Sequence, residues 1–263
     1  MRGHAAFAAI AVLMTLAVSE DAVAQGRGGQ GPPAPTATAK ASAPIDLTGY
    51  WVSVVTEDWR YRMVTPAKGD YQGVPMTAES VKVADAWDPA ADEAAGSQCK
   101  SYGAAAIMRV PGRIRVSWQD DTTLKLEADA GTQTRLLRFN PSQATPGAPT
   151  WQGESTAQWE LTRAGRGRPG GPGPEPPRSG SLKVVTTNMR AGYLRKNGVP
   201  YGERATLTEY FNLVRHRNGD LWLVVTSVVE DTQYLRQPFM VSSQFRKQAD
   251  AAGWDPAPCS STW

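Results

Sequence analysis

The chain has 263 residues and a formal net charge of +3, and its 28 basic residues nearly balance its 25 acidic ones. So small an excess of positive charge points to no particular partner class. The length is enough for one large β domain to bury its own core. Only one histidine, His216, lies outside the N-terminal segment, so a multi-histidine zinc site is excluded. We expect neither a metal nor a cofactor.

The first residues have the features of a secretory signal. Arg2 supplies a basic start, and the apolar run over residues 5–18 is shorter than the roughly twenty residues that a transmembrane helix needs. Small residues at Ala22 and Ala24 form a cleavage site. We therefore predict a signal peptide over residues 1–24 and a periplasmic or secreted protein. The alternative is an N-terminal membrane anchor.

Two stretches rich in glycine and proline have little to bury. We predict a disordered leader over residues 25–44 and a flexible loop over residues 164–180. The rest, residues 45–263, is predicted to be a single domain. Both stretches contain Arg-Gly fragments of the kind found in RNA-binding segments, but no aromatic residues are interleaved. Because these aromatic residues are missing and the protein is predicted to be exported, we expect no nucleic-acid partner.

Alternation of apolar and polar residues predicts about ten strands along the domain. Asp120 and Asp121 form a short link between two of them, and Asn218-Gly219 is a strong tight-turn signal between two others. The predicted strands cover residues 47–56, 113–119, 122–128, 133–139, 155–162, 182–188, 204–215, 221–229 and 240–246.

One helix is predicted, over residues 77–87. Thr77 can cap its start, Glu79 lies in its first turn, and Pro89 should stop it. About ten strands against one short helix predict an all-β fold, an antiparallel barrel or a sandwich.

Only two cysteines are present, Cys99 and Cys259. An even pair in an oxidising compartment is expected to form a disulfide bond. The alternative is two free thiols.

Glu209 interrupts the apolar face of its predicted strand. It shares the odd-numbered face with Leu207 and Phe211. An ionised carboxylate on that face costs several kcal/mol unless it is paired or hydrogen-bonded. The strand pattern therefore predicts a buried partner for Glu209.

Two other strands carry polar groups on their apolar faces. Arg135 shares its face with Leu137, and Ser155 shares its face with Trp159. Together with Glu209, these groups could line a cavity and orient a ligand. The alternatives are a buried structural ion pair, or a shifted register in which Glu209 faces water.

A glycine-rich turn over residues 192–198 carries the second candidate group. Rim loops carry function more often than their share of the chain, although they also simply make turns. The predicted rim residues are Tyr193, Arg195, Tyr201, Glu203 and Asp231.

Segments at residues 151–159, 198–203, 209–211 and 231–234 resemble an uncharacterised group of secreted, β-rich bacterial proteins. The pattern of that family is W-x-G-x-S-x-x-x-W, then G-x-P-H-S-E, E-R-F and D-P-x-x-Y. Here Tyr201 stands at the family's histidine, Gly202 at its serine, Tyr210 at its arginine and Thr232 at its proline. The resemblance implies a shared fold and export, assigns no activity, and marks Ser155, Glu203 and Glu209 as motif positions.

Gly49-Tyr50-Trp51 is similar to the G-x-W motif that opens lipocalin barrels. The resemblance implies a closed lipocalin-like barrel with an interior pocket, and it implies that Arg246 near the last strand packs on Trp51. A tryptophan that belongs only to the core is the alternative.

The leading functional hypothesis is an exported protein that binds a small amphipathic or hydrophobic ligand in a β-barrel pocket. Apolar walls would hold the carbon skeleton, and Arg135, Ser155 and Glu209 would hold its polar end. One alternative is a cofactor-free lyase, isomerase or hydrolase in which Glu209 is the general base. Another is an envelope module that binds a partner protein through the rim and the loop at 164–180. The apolar wall residues would be Trp118, Trp159, Leu207 and Phe211.

Overall fold

The computed structural model describes residues 37–140, 142, 147–161 and 179–262. The predicted signal peptide lies outside these residues, as do positions 25–36 of the predicted leader and positions 164–178 of the predicted loop. None of the helices in the described ranges has the length and hydropathy needed to cross a membrane.

Within the described residues the chain is mostly β, as predicted. Two of its strands, β7 and β8, are only two residues long and pair with each other. The strands are β1 (Gly49–Val54), β2 (Arg113–Asp120), β3 (Thr123–Ala128), β4 (Gln133–Arg138), β5 (Glu154–Leu161), β6 (Gly180–Thr187), β7 (Gly192–Tyr193), β8 (Pro200–Tyr201), β9 (Thr206–Arg215), β10 (Leu221–Glu230) and β11 (Phe239–Gln248).

The other nine strands form a closed barrel in the order β1-β11-β10-β9-β6-β5-β4-β3-β2. The prediction of a purely antiparallel sheet needs correction, because β4 and β5 pair in parallel. Leu137 near the end of β4 pairs with Ser155 near the start of β5. Strand β5 therefore begins where β4 ends and continues in the same direction. Alternation within a strand carries no information on the direction of its neighbour.

More helices form than the sequence predicted. The predicted one is present and is capped as expected, since Thr77 Oγ1 accepts the backbone N–H of Ser80 at 3.1 Å. Pro89 does not end the helical region but begins the next helix, where Asp88 is the cap. The helices are α1 (Trp59–Arg62), α2 (Ala78–Asp85), α3 (Pro89–Ala94) and α4 (Ala104–Ile107), with a 3-10 helix at Gln98–Tyr102.

All of these helices belong to one insertion at one end of the barrel. Strand β1 ends there and β2 begins there, so the intervening residues 55–112 lie over that end, and residues 188–205 between β6 and β9 join them. We call these two segments the cap. A hydrophobic cluster fastens it to the barrel, with Met76, Ala104 and Tyr201 packed in one core with barrel residues such as Leu207 and Phe239.

The barrel interior is a separate hydrophobic core. It is filled by large side chains from most of the strands, including Trp51, Leu126, Leu182, Phe211 and Phe245. Lys247, and not Arg246 as the lipocalin resemblance implied, packs on the Trp51 ring, with its ammonium 4.5 Å from the ring centroid. Trp51 pairs directly with Lys247 across β1 and β11, whereas alternation turns the exposed Arg246 outward.

Residues 37–44, which the sequence assigned to a disordered leader, contact the barrel. The backbone N–H of Lys40 donates to the carbonyl of Asp121, and the Trp159 indole N–H donates to the carbonyl of Ala39 at 2.8 Å. Residues 37–44 make these contacts through their backbone groups. The amino-acid composition, from which disorder was predicted, does not reveal such contacts.

Cys99 and Cys259 form the predicted disulfide bond, which joins the 3-10 helix of the cap to the C-terminal tail across 160 residues of sequence. It holds the tail against the β3–β4 turn, where the backbone N–H of Ala257 also donates to the carbonyl of Asp129 at 3.0 Å.

We expect the double substitution Cys99→Ser/Cys259→Ser to lower the free energy of unfolding by 2 to 5 kcal/mol, since cross-links of long loops contribute up to about 5 kcal/mol. Urea denaturation of the variant and of the wild-type protein, with and without reductant, measures the difference. Reductant should destabilise the wild type alone. Equal stability of the two proteins would contradict a structural role for the bond.

Candidate functional site

Glu209 lies inside the barrel, as the alternation of β9 indicated. Its side chain is fully buried, at 0 % exposure, between the equally buried Leu207 and Phe211 on the same face of the strand. The alternative with Glu209 facing water is therefore wrong.

Arg135 on β4 is the partner that Glu209 needs. It is 2 % exposed, and its guanidinium binds the carboxylate through both terminal nitrogens, with Nη1–Oε1 at 3.2 Å and Nη2–Oε2 at 2.6 Å. A bidentate pair of this kind combines Coulombic attraction with two charge-assisted hydrogen bonds.

Two hydroxyl groups complete the buried polar cluster. Arg135 Nη2 also donates to Thr186 Oγ1 on β6 at 3.1 Å and to Ser155 Oγ on β5 at 3.4 Å. The two hydroxyl oxygens lie 2.8 Å apart and share a hydrogen bond. The three predicted residues Arg135, Ser155 and Glu209 therefore meet, and Thr186 joins them. Four strands contribute one side chain each.

The surroundings of this cluster are filled. Leu126 pairs with Arg135, and Val184 pairs with Glu209, and both apolar residues belong to the barrel core. None of five pockets that the described residues form is lined by any member of the cluster. The geometry is that of a buried structural ion pair. The catalytic role of Glu209 stays a prediction.

The predicted rim residues lie in or beside the cap but do not form one group. Tyr193 contacts Lys100, and its hydroxyl lies 3.3 Å from the Lys100 ammonium. Tyr201 is completely buried, and burial raises the pKa of its phenol. Asp231 is a turn residue whose carboxylate accepts the backbone N–H of Gly202 at 2.7 Å.

Other predicted residues lie further from the buried cluster or face solvent. Trp159, toward the end of β5, packs at tilted angles against Phe139 and Trp118, with ring centroids 5.1 Å and 6.4 Å away. Glu203 is exposed. Arg195 is buried in the cap, where its guanidinium lies 4.1 Å from the Tyr61 ring centroid.

A groove of about 430 Å³ lies beside the cap, between the C-terminal tail and the barrel. The start of β2 and the β3–β4 turn form one side, and residues 255–262 supply the other. Its inner side contains two buried polar residues, Tyr102 from the 3-10 helix and Lys196 from the loop between β7 and β8.

Lys196 and Tyr102 form a close pair. The ammonium donates to the phenol oxygen at 2.6 Å and to the Thr262 carbonyl at 3.4 Å, and it lies 4.4 Å from the Tyr102 ring centroid. Lys196 is only 4 % exposed, and this burial lowers the pKa of its ammonium to about 8. Burial also raises the pKa of Tyr102. Perturbed groups at the edge of a pocket are typical of functional sites.

The β3–β4 turn is shaped to the Tyr102 ring. Gly131 has a φ of 74°, and a Cβ atom there would collide with that ring. Asp129 fixes the turn from the other side, because its Oδ1 accepts the backbone N–H groups of Arg113 at 2.7 Å and Ala130 at 2.6 Å.

Sequence reasoning missed Thr186, Tyr102 and Lys196. The signal for Thr186 was available, since it follows Leu182 and Val184 on the buried face of β6. No comparable signal marked Tyr102 or Lys196, because they lie in a short 3-10 helix and a loop.

In comparisons with known proteins, no family model, no curated protein and no solved structure matches this chain.

For the ion pair, we expect Glu209→Leu and Arg135→Met each to lower the free energy of unfolding by about 3–5 kcal/mol, because each leaves an unpaired buried charge. The double variant should be more stable than the sum of the two losses predicts. Chemical denaturation of the wild type, the two single variants and the double variant completes a double-mutant cycle and measures the coupling free energy of the pair.

The exposed pair Glu79–Lys82 on α2, with Nζ–Oε2 at 3.8 Å, is the control. Its cycle should give no more than about 1 kcal/mol. A stable, well-folded Glu209→Leu protein would show that the carboxylate is not needed for folding and would favour a binding role.

For Lys196, we expect the stability difference between wild type and Lys196→Met to depend on pH. The folded-state pKa of about 8 lies below the ordinary lysine pKa of 10.5. Between these values the unfolded chain holds more protons than the folded one, so stability rises with pH. The free energy of unfolding of the wild type, relative to that of Lys196→Met, should therefore rise between pH 8 and pH 10.5. Urea titrations across this pH range measure it. An unchanged difference would contradict the burial of an ammonium.

Proposed function

We propose that this protein is exported and binds a small amphipathic molecule, with the ligand in the groove between the tail and the barrel. The observation that carries the proposal is the buried Lys196–Tyr102 pair at the inner side of a groove of about 430 Å³. Pockets for small ligands have volumes of this order and combine apolar walls with a few polar groups.

The walls of the groove suit the carbon skeleton of such a ligand. Pro111 at the end of the cap and Ala130 in the β3–β4 turn line the groove together with Ala257 and Pro258 of the tail. Small and rigid side chains of this kind lose little conformational entropy when a ligand covers them. The groove thus offers apolar contact at little ordering cost.

The inner side of the groove suits an acidic group on the ligand. Burial disfavours the charged form of Lys196, as its lowered pKa indicates, and a ligand carboxylate next to the ammonium would offset that cost. Asp129 does not compete, because its carboxylate accepts two backbone N–H groups. Asp255, the other acidic residue of the groove, is exposed to solvent.

The groove is better placed for a ligand than the barrel interior. Around Arg135 and Glu209 the interior is packed with core side chains, and the Glu209 carboxylate is already bound by a guanidinium. A general base in that position would have to give up its partner before reaching a substrate, which is costly for a buried charge. The geometry thus supports the binding hypothesis over the Glu209 enzyme.

Export, the lipocalin-like character of the barrel and membership of the secreted family stay parts of this proposal. The closed barrel and the disulfide bond support them, because both resemblances imply a β-rich exported protein and disulfide bonds persist in oxidising compartments. The partner-protein hypothesis depends on the loop at 164–180, of which residues 164–178 lie outside the described residues.

Isothermal titration with decanoate and with its neutral counterpart decanol tests the proposal. Both should bind to the wild-type protein, and Lys196→Met should weaken decanoate binding about ten- to a hundredfold while leaving decanol nearly unchanged, because a charge-assisted contact contributes about 1.5–3 kcal/mol. Lys125→Met, on the outer face of β3, is the matched control and should bind both as the wild type does.

Ala257→Trp provides a second variant that does not touch the buried lysine. A bulky side chain at this wall of the groove should block both probes. The proposal fails if neither probe binds to the wild-type protein, or if both still bind to Ala257→Trp with wild-type affinity. Binding lost only in Glu209→Gln would place the ligand in the barrel instead.

A further inference from the structure

Four cationic side chains surround a second, much smaller cavity inside the cap. Arg62, Arg109, Arg195 and Lys196 all line it and are all buried, and its volume is about 20 Å³. Arginine and lysine are almost never fully buried unless they are paired, so four of them around one cavity call for a physical explanation.

The three guanidinium groups are held in place by other contacts. Arg62 Nε donates to the carbonyl of Arg109 at 2.8 Å, and Arg195 Nη1 donates to the carbonyl of Gln72 at 2.7 Å. Arg109 Nη2 forms an ion pair with Asp58 at 3.2 Å. These contacts fix the orientation of each group, so the cavity is lined by cations that are already positioned.

Two buried donors of this group have no hydrogen-bond partner among the described residues. They are Nη1 of Arg62 and Nε of Arg195. The nearest carboxylate oxygen to Arg62 Nη1 is Oε1 of Glu57, at 3.9 Å, which is beyond hydrogen-bond distance. An unsatisfied buried donor on a charged group costs more than an ordinary lost hydrogen bond.

The buried arginines around the cavity also repel one another. Four carboxylates offset part of this charge: Glu57 and Asp58 act on Arg62 and Arg109, Asp70 acts on Arg195, and Glu93 acts on Lys196. Burial lowers the pKa of Arg62, and it lowers that of Arg195 to about 10, with the charge of Arg109 adding to the shift in both. A negative charge inside the cavity would relieve the mutual repulsion.

We propose that this cavity binds a single monatomic anion of the size of chloride. The volume decides the class of ligand, because about 20 Å³ is room for one water-sized particle and is too little for phosphate, sulfate or the carboxylate end of an organic molecule. The anion would accept hydrogen bonds from Arg62 Nη1 and Arg195 Nε, the two donors that lack partners.

The site is distinct from the groove, although Lys196 lines both. The anion would stabilise the cap, since a ligand that binds only the folded state raises its stability in proportion to the logarithm of one plus concentration over Kd. It would also fix Arg195, next to Lys196 in the chain, and so hold the loop between β7 and β8 in place.

Thermal unfolding at constant ionic strength, with chloride exchanged for gluconate, tests this inference. Tm should rise with chloride and with bromide along a saturating curve, because both ions fit, and sulfate or phosphate should have no such effect. Arg195→Gln should weaken the chloride response at least tenfold in apparent Kd. Arg217→Gln is the control, since Arg217 is exposed in the turn between β9 and β10, outside the cap.

A crystal of the wild-type protein soaked in bromide gives a readout that needs no variant. Anomalous scattering should place one bromide between Arg62 and Arg195. A water-only cavity in that crystal would overturn the inference. So would a Tm that follows ionic strength alone, whichever anion is present. Failure of decanoate to bind in the groove would leave this result unaffected.

Discussion

The ion pair of Arg135 and Glu209 links β4 and β9, which are far apart in the sequence and are separated by β5 and β6 in the strand order of the closed barrel. A carboxylate on the inner face of β9 can be buried only if another strand supplies a cation to the same point. Ser155 and Thr186 accept further hydrogen bonds from Arg135 Nη2, while Arg135 Nε has no hydrogen-bond partner among the described residues. Because four strands must be in register for all these groups to meet, the cluster favours one pairing of the sheet over shifted ones.

With that interior closed and packed, polar chemistry is concentrated in and beside the cap. The insertions that form the cap place Lys196 between two spaces of different character, an open groove of about 430 Å³ and a small cationic cavity of about 20 Å³. The disulfide bond from Cys99 to Cys259 keeps the tail in position as a wall of the groove. The barrel thus supports the cap and the C-terminal tail, and both proposed sites lie in or beside these segments.

Much of the barrel could be predicted because a strand with one buried face has a two-residue period. That period located the strands, turned Glu209 inward and put Arg135 and Ser155 on buried faces. Thr186 follows from the same rule. The rule fails where a segment has no period, and so the short helices α1, α3 and α4 were missed. The rule also does not indicate whether adjacent strands run parallel or antiparallel. The parallel pairing of β4 with β5 was therefore not foreseen.

The sequence by itself determined the β character of the domain, the inward carboxylate and the cysteine pair, because periodicity and residue count express these properties locally. Alternation also offered Arg135 as a partner for Glu209. Only the tertiary structure decided that this pair lies in a packed interior, that Lys247 covers Trp51, and that Arg62, Arg109 and Arg195 converge. Convergence of side chains from separate loops depends on how the closed barrel positions those loops. A linear pattern does not contain that distance information.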